Sequence, residues 1–110
     1  MSECIFCRIG AGEIPSQLVY QDPAIIAFRD IHPQAPTHIL IMPRKHIASL
    51  AELKTGDLPM VARMLAVANQ IAQEQGLADG YRLVINTGSK AGQVVMHLHM
   101  HLLGGKQFSN

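Results

Sequence analysis

Three histidines alternate with apolar residues near the end of this chain, in the run His97-Leu98-His99-Met100-His101. Side chains at i, i+2 and i+4 of a strand share one face at steps of about 6.6 Å, so Val95, His97, His99, His101 and Leu103 fall on one side of such a segment. Met96, Leu98, Met100 and Leu102 take the other, and large apolar residues there predict burial beneath a helix. A lone histidine on a sheet is ordinarily a half-buried polar residue. Three in alternation are harder to dismiss, because clustered imidazoles repel one another when charged and lose hydration when buried. Two kinds of chemistry use such a ridge: metal ligation, or phosphorus chemistry in which one imidazole attacks while others hold or relay protons. An imidazole in water titrates at about 6.5, so a large share is an uncharged nucleophile at neutral pH.

The chain's two cysteines form a second group, Cys4 and Cys7 in Cys4-Ile5-Phe6-Cys7. In a reducing compartment this spacing suggests metal binding or redox chemistry more than a structural disulfide. The redox reading is the weaker, since the pair precedes any predicted strand. A tetrahedral structural zinc would need two further ligands. The plain alternative is two reduced cysteines packed under the first helix.

The elements that must position these residues follow from the pattern. Residues 4–11 predict a short helix ended by Gly10 or Gly12, and Pro15 turns the chain extended. Residues 18–21 and 24–29, joined at Asp22-Pro23, predict a hairpin. The two prolines of residues 30–36 make a rigid loop, and residues 37–42 a buried strand stopping at Pro43. Residues 49–53 add a helical turn. The clearest helix opens at Thr55 or Asp57 and closes at Gly76, with Val61, Met64, Leu65, Ala68, Ile71 and Ala72 as its apolar stripe. Residues 81–86 return to the strand pattern, residues 87–92 form a glycine-bearing loop able to face an anion, and residues 94–103 make the last long strand. Strands around one long helix with hairpin-like connections argue for an antiparallel α+β domain.

Bulk composition narrows the function. At 110 residues one domain spanning 1–110 is expected. Nine Lys and Arg against eight Asp and Glu give no broad positive field, so neither nucleic acid nor an anionic membrane is an expected partner, and any phosphate must be held locally. The start, Met1-Ser2-Glu3-Cys4, lacks the basic and apolar runs of a secretory signal, and no stretch is long enough to span a bilayer. A cytoplasmic location is therefore expected. Charged residues make up only 15%, which suits a surface partly shared with a second copy.

On these residues the chain resembles the histidine triad (HIT) family, in particular its Hint branch of nucleoside phosphoramidases. His97-Leu98-His99-Met100-His101-Leu102-Leu103 satisfies the family's His-φ-His-φ-His-φ-φ pattern, φ being apolar. Agreement extends to Cys4-Ile5-Phe6-Cys7 with Gly12-Glu13-Ile14-Pro15, to Ala27-Phe28-Arg29-Asp30-Ile31, and to the run from Pro36-Thr37-His38 through Lys45-His46. Gly80-Tyr81-Arg82 and Gly92-Gln93 match as well, so the likeness covers essentially the whole chain.

The resemblance implies a HIT-like fold, a sheet of about five antiparallel strands with one long helix and a short N-terminal one, and a homodimer meeting near the long helix and Tyr81. It implies a purine nucleotide substrate and hydrolysis of the P–N bond of purine nucleoside 5′-phosphoramidates. His99 would be the nucleophile, forming a covalent nucleotidyl-imidazole that water resolves. His101 would contact the phosphate and help protonate the leaving amine, and His38 would orient the nucleophile from behind. Asp30 would accept from the ribose hydroxyls, a turn aspartate being the plain reading. Asn86, Gly92 and Gln93 would surround the phosphate, and Phe6, Ile14 and Phe28 would line the base pocket unless they are simply core. Relatives with the cysteine pair further imply one structural zinc per chain on Cys4, Cys7, His46 and His97, with no organic cofactor. His32 receives no role.

Two departures stand out. Many Hint-like proteins carry a polar residue after Gly-Gln, where this chain has Val94, and the chain ends at Asn110 without a longer tail. Leaving-group protonation is then expected to fall on His101 or water, with slower turnover. The rivals are a dinucleoside polyphosphate hydrolase of the same family, a catalytic zinc on the histidine ridge, and a nucleotide-binding regulatory module with vestigial catalysis. The ridge has no Asp or Glu of its own to complete a hydrolytic metal centre.

Overall fold

The computed structural model describes residues 3–109. Met1 and Ser2 of the leader reading, and Asn110 at the end of the expected domain, lie outside the described residues. The chain begins with a short helix α1 (Ile5–Gly10), followed by β1 (Leu18–Gln21), β2 (Ile25–Arg29) and β3 (Thr37–Pro43). The long helix α2 (Leu58–Glu74) comes next, then β4 (Arg82–Val84) and β5 (Met100–Gly104). All pairs are antiparallel, in the order β1-β2-β3-β5-β4. The last strand is thus inserted between β3 and β4. Among the described residues no helix is long and apolar enough to cross a membrane.

Local chemistry explains the corners. Asp22 closes the β1–β2 hairpin: its Oδ1 accepts the amides of Ala24 and Ile25, both at 2.7 Å, and its Oδ2 accepts the Tyr20 hydroxyl at 2.6 Å and Arg63 at 2.8 Å. The long helix ends where Gly76 takes φ +75°, letting Leu77 N–H reach the Ala72 carbonyl at 2.8 Å and Gly76 N–H reach Gln73 at 3.1 Å. Asp57 stands at its start, but its carboxylate caps nothing there; it takes Lys45 Nζ at 2.8 Å and the Lys54 amide at 3.0 Å.

Strand parity divides the sheet into two faces. Ile25, Ala27, Ile39, Ile41, Met100 and Leu102 point to α2 and meet Met64, Val67, Ala68, Ile71 and Ala72. Ile26, Phe28, Leu40 and Met42 point the other way and pack with Phe6 of α1. The stripe expected on α2 is therefore shifted: Val67 is buried and Leu65 is 48% exposed.

Three further expectations are corrected. The last strand covers Met100–Gly104 only, not residues 94–103. Its intended partner runs out at Pro43, which has no N–H to donate, and Leu98 N–H instead reaches the Ile47 carbonyl at 2.7 Å. Side-chain alternation nonetheless persists from 97 to 101, because Leu98 stays in the core beneath α2. Met96 leaves the buried set and is 45% exposed. Finally, β4 is three residues long rather than six: its pairing with β5 runs only from Arg82 opposite Leu103 to Val84 opposite His101.

Candidate functional site

The face opposite α2 carries a cleft of about 770 Å³. Its floor is a row of side chains held in register across four strands, in which Phe28 pairs with Leu40, Leu40 with His101, and His101 with Val84. A neighbouring row sets His38 beside Leu103 and Leu103 beside Arg82. Phe6 and Ile14 form a wall near β2, as Asn86, Gly92 and Val94 do near β4.

His99 lies in this floor, 8% exposed. It donates Nδ1–H to the His97 carbonyl at 2.7 Å, a bond that selects, for the neutral ring, the tautomer with its lone pair on Nε2. A second chain of hydrogen bonds fixes its neighbour. The Gln34 amide donates to His38 Nδ1 at 3.0 Å, so neutral His38 carries its proton on Nε2, which lies 2.9 Å from His101 Nδ1. Neutral His101 therefore presents Nε2–H. The His99 and His101 rings are 5.0 Å apart.

Burial pushes His101 down from 6.5 to about 4, helped by the neighbouring charges of His99 and His38 and opposed by Asp30. It lowers His38 too, again against the pull of Asp30. Both rings are uncharged at neutral pH, as the hydrogen-bond chain requires. Asp30, His38 and His101 also form a group of metal-ligating types. The 2.9 Å between the two imidazole nitrogens is shorter than the N–N edge of about 3.3 Å that a tetrahedral zinc imposes, and reads as a shared proton.

Asp30 lines the cleft and is a turn residue at once: Oδ1 accepts the His32 amide at 2.8 Å, and Oδ2 lies 3.5 Å from His38 Nε2. Asn86 lines the cleft near β4 and ties its own loop by donating to the Ala91 carbonyl at 2.9 Å. Gly92 adopts φ +87°, which a side chain would strain. Gln93 does not line the cleft. Its side chain is buried, accepting the Gly88 amide at 2.8 Å and donating to the carbonyls of Ala48 at 2.7 Å and Val95 at 3.1 Å, so it shapes the loop from behind. His38 likewise stands behind His101. His32, Ile31 and Arg82, to which no role was given, do line the cleft. Parity would have placed Arg82 and Val84 on the histidine face once β4 was known to pair with β5.

On the far side of His97 the two cysteines converge with two histidines. Cys4 Sγ lies 3.4 Å from His97 Nδ1, and Cys7 Sγ lies 3.5 Å from the same atom and 3.3 Å from His46 Nδ1. All four ligand atoms fall within 4.8 Å of one another. Zinc with Zn–S bonds of about 2.3 Å and Zn–N bonds of about 2.0–2.1 Å has S–N edges of about 3.6 Å, close to these separations. His97 donates Nε2–H to the Pro43 carbonyl at 2.8 Å, which turns its Nδ1 lone pair toward the sulfurs. Burial also lowers its pKa, favouring the neutral form a ligand needs. The set fits zinc.

The model of the HIT domain matches residues 11–108. The purine nucleoside phosphoramidase of Escherichia coli K12 is 51% identical over 105 residues, covering 94% of this chain and 88% of its own length. The 14 kDa zinc-binding protein of Zea mays is 47% identical over 110 residues, covering 98% of this chain and 86% of its own. The crystal structure of a HIT family hydrolase from Legionella pneumophila superposes with a TM-score of 0.96 at 51% identity, covering 97% of this chain and 96% of that one. Agreement of this extent in sequence and backbone together places the chain in the HIT domain family, as a hydrolase of that family.

Proposed function

We propose that this chain hydrolyses the P–N bond of purine nucleoside 5′-phosphoramidates through a covalent nucleotidyl-His99. The observation that carries the reading is the 2.7 Å bond from His99 Nδ1 to the His97 carbonyl, which places the neutral ring's lone pair on Nε2, in the floor of a nucleotide-sized cleft. The 51% identity to the purine nucleoside phosphoramidase of Escherichia coli supports the choice of substrate.

The base lies between Phe6, Ile14 and Phe28, and Asp30 accepts from the ribose hydroxyls. In the first half-reaction His99 Nε2 forms a bond to the α-phosphorus as the bond to the leaving nitrogen breaks. The departing amine takes one proton from His101. An anionic phosphoryl group beside His101 stabilises its imidazolium, raising its pKa from the free-protein value of about 4 into a range suited to donation. In the second half-reaction water forms the P–O bond, the P–Nε2 bond breaks, and the proton of the water returns to His101. Asn86 and Gly92 flank the phosphate, and Gln93 holds their loop.

Zinc on Cys4, Cys7, His46 and His97, one per chain, is structural, since four protein ligands close the site. The whole chain acts as one domain, in a reducing compartment such as the cytoplasm. Two copies pair through β4, a sheet-end strand, and the neighbouring face of α2 with its exposed Leu65. Incubating wild type and His99→Ala with adenosine phosphoramidate, quenching in base and weighing the protein tests the chemistry. Adenylylated protein is expected only from wild type, and equal labelling of both overturns the reading.

A further inference from the structure

The first helix is too short to hold itself. Its six residues fall well under the roughly twelve that a marginal isolated helix needs, so its anchors decide its position. Arg44 ties the C-terminal end, donating Nη1–H to the Gly10 carbonyl at 2.7 Å. Cys4 and Cys7 hold the N-terminal end against His97 and His46 at 3.3 to 3.5 Å. Between the two cysteines stands Phe6, 7% exposed. Its ring meets that of His99 edge-on, with centroids 5.0 Å apart and planes at 83°. It touches Phe28 at 5.5 Å and His97 at 6.0 Å as well. His99 is bound to the same cluster a second time, because the carbonyl that accepts its Nδ1–H belongs to His97. Two short paths thus run from the four-ligand cluster to one imidazole.

We propose that Phe6 is a positioning residue, through which filling of the Cys4, Cys7, His46 and His97 centre sets the plane of the His99 ring. The inference rests on the reading of His99 as nucleophile. With the thiolates fixed, the first turn of α1 is fixed, and the Phe6 ring blocks rotation of the imidazole while the His97 carbonyl holds its tautomer. With the ligands released, Arg44 still secures the far end of the helix, but the turn bearing Phe6 loses its anchor. An imidazole free to swing aims its lone pair off the line of attack, and a misplacement of about 1 Å is enough to cost about 100-fold in rate. The metal itself takes no part in any step.

Ring 15N spectra of the full chain test this, with His32 and His38 as internal references. In zinc-loaded protein His99 is expected to show one tautomer, protonated on Nδ1. After chelation its signals should broaden or average while those of His38 and His101 hold, and the rate of His99 adenylylation at saturating substrate should fall by about 10- to 100-fold. Should the stripped chain unfold, zinc-loaded Phe6→Leu makes the same test: zinc content unchanged, His99 signals broadened, adenylylation slowed, and Phe6→Tyr restoring both. Identical His99 spectra and labelling rates in the loaded, stripped and Phe6→Leu proteins overturn the proposal. Failure of loaded wild type to adenylylate overturns the nucleophile reading instead, and the spectra alone then decide whether Phe6 carries the metal's state to His99.

Discussion

Acidification to pH 5 is expected to leave His101 mostly uncharged, although an imidazole in water would be almost wholly protonated. Burial, with His99 and His38 beside it, brings its pKa from 6.5 to about 4, and Asp30 only partly opposes this. At pH 5 such a group is protonated in roughly one molecule in ten, against about 97% for an unperturbed imidazole. A histidine depressed in the folded state takes up its proton on unfolding. Its contribution to stability is therefore complete above 6.5 and is lost as the pH falls toward the folded value of about 4. At about 1.4 kcal/mol per pH unit this interval caps the loss at about 3 kcal/mol, and partial exposure to the cleft reduces it to about 1 to 2 kcal/mol. His101→Gln keeps an acceptor for His38 and has no charge to gain. Urea midpoints of the two proteins at pH 7 and pH 4.5 isolate the effect, since both share the same metal ligands and the pH dependence of metal binding cancels. Wild type should lose about 1 to 2 kcal/mol more than the variant over that range. Equal losses, or a ring 15N midpoint for His101 between 6 and 7, would refute the reasoning.

Val94 is 89% exposed on the cleft wall and donates no hydrogen bond, so Val94→Ser should raise phosphoramidase turnover at least several-fold by adding a proton relay; an unchanged steady-state rate counts against that role. Asp22→Ala strips the hairpin of two amide bonds, the Tyr20 hydroxyl and Arg63, and should cost about 2 to 3 kcal/mol in urea denaturation at pH 7 without altering AMP affinity. A loss below about 0.5 kcal/mol would mean water replaces those partners at no cost.

Most of the fold was legible because each element announces itself locally. Pro43 ends β3, Asp22-Pro23 makes the hairpin, Gly76 closes α2, and residues 18–21 form a strand as the pattern predicts. Errors fell where partners rather than neighbours decide. The length of the last strand depended on where β3 stopped, and Leu65 looked like core only because helical spacing cannot say where the sheet ends. In the cleft, Arg82 went unassigned because its facing depends on the register of β4 against β5. The Gln93 amide ties Gly88 to the carbonyls of Ala48 and Val95, a set of partners that spans 45 positions and that no local pattern predicts.

The amino-acid sequence by itself determined which residue types stand near one another along the chain: three imidazoles on one face, two thiols one helical turn apart, an apolar face opposite. Short-range periodicity suffices for that, since side-chain direction repeats with the backbone. Tertiary structure alone decided which partners each histidine ring meets. His97 turns to the sulfurs because Pro43, 54 positions away, takes its other nitrogen, and His101 bonds His38 across 63 positions because β5 inserts beside β3. Hydrogen-bond partners follow strand order and register, which no local pattern encodes.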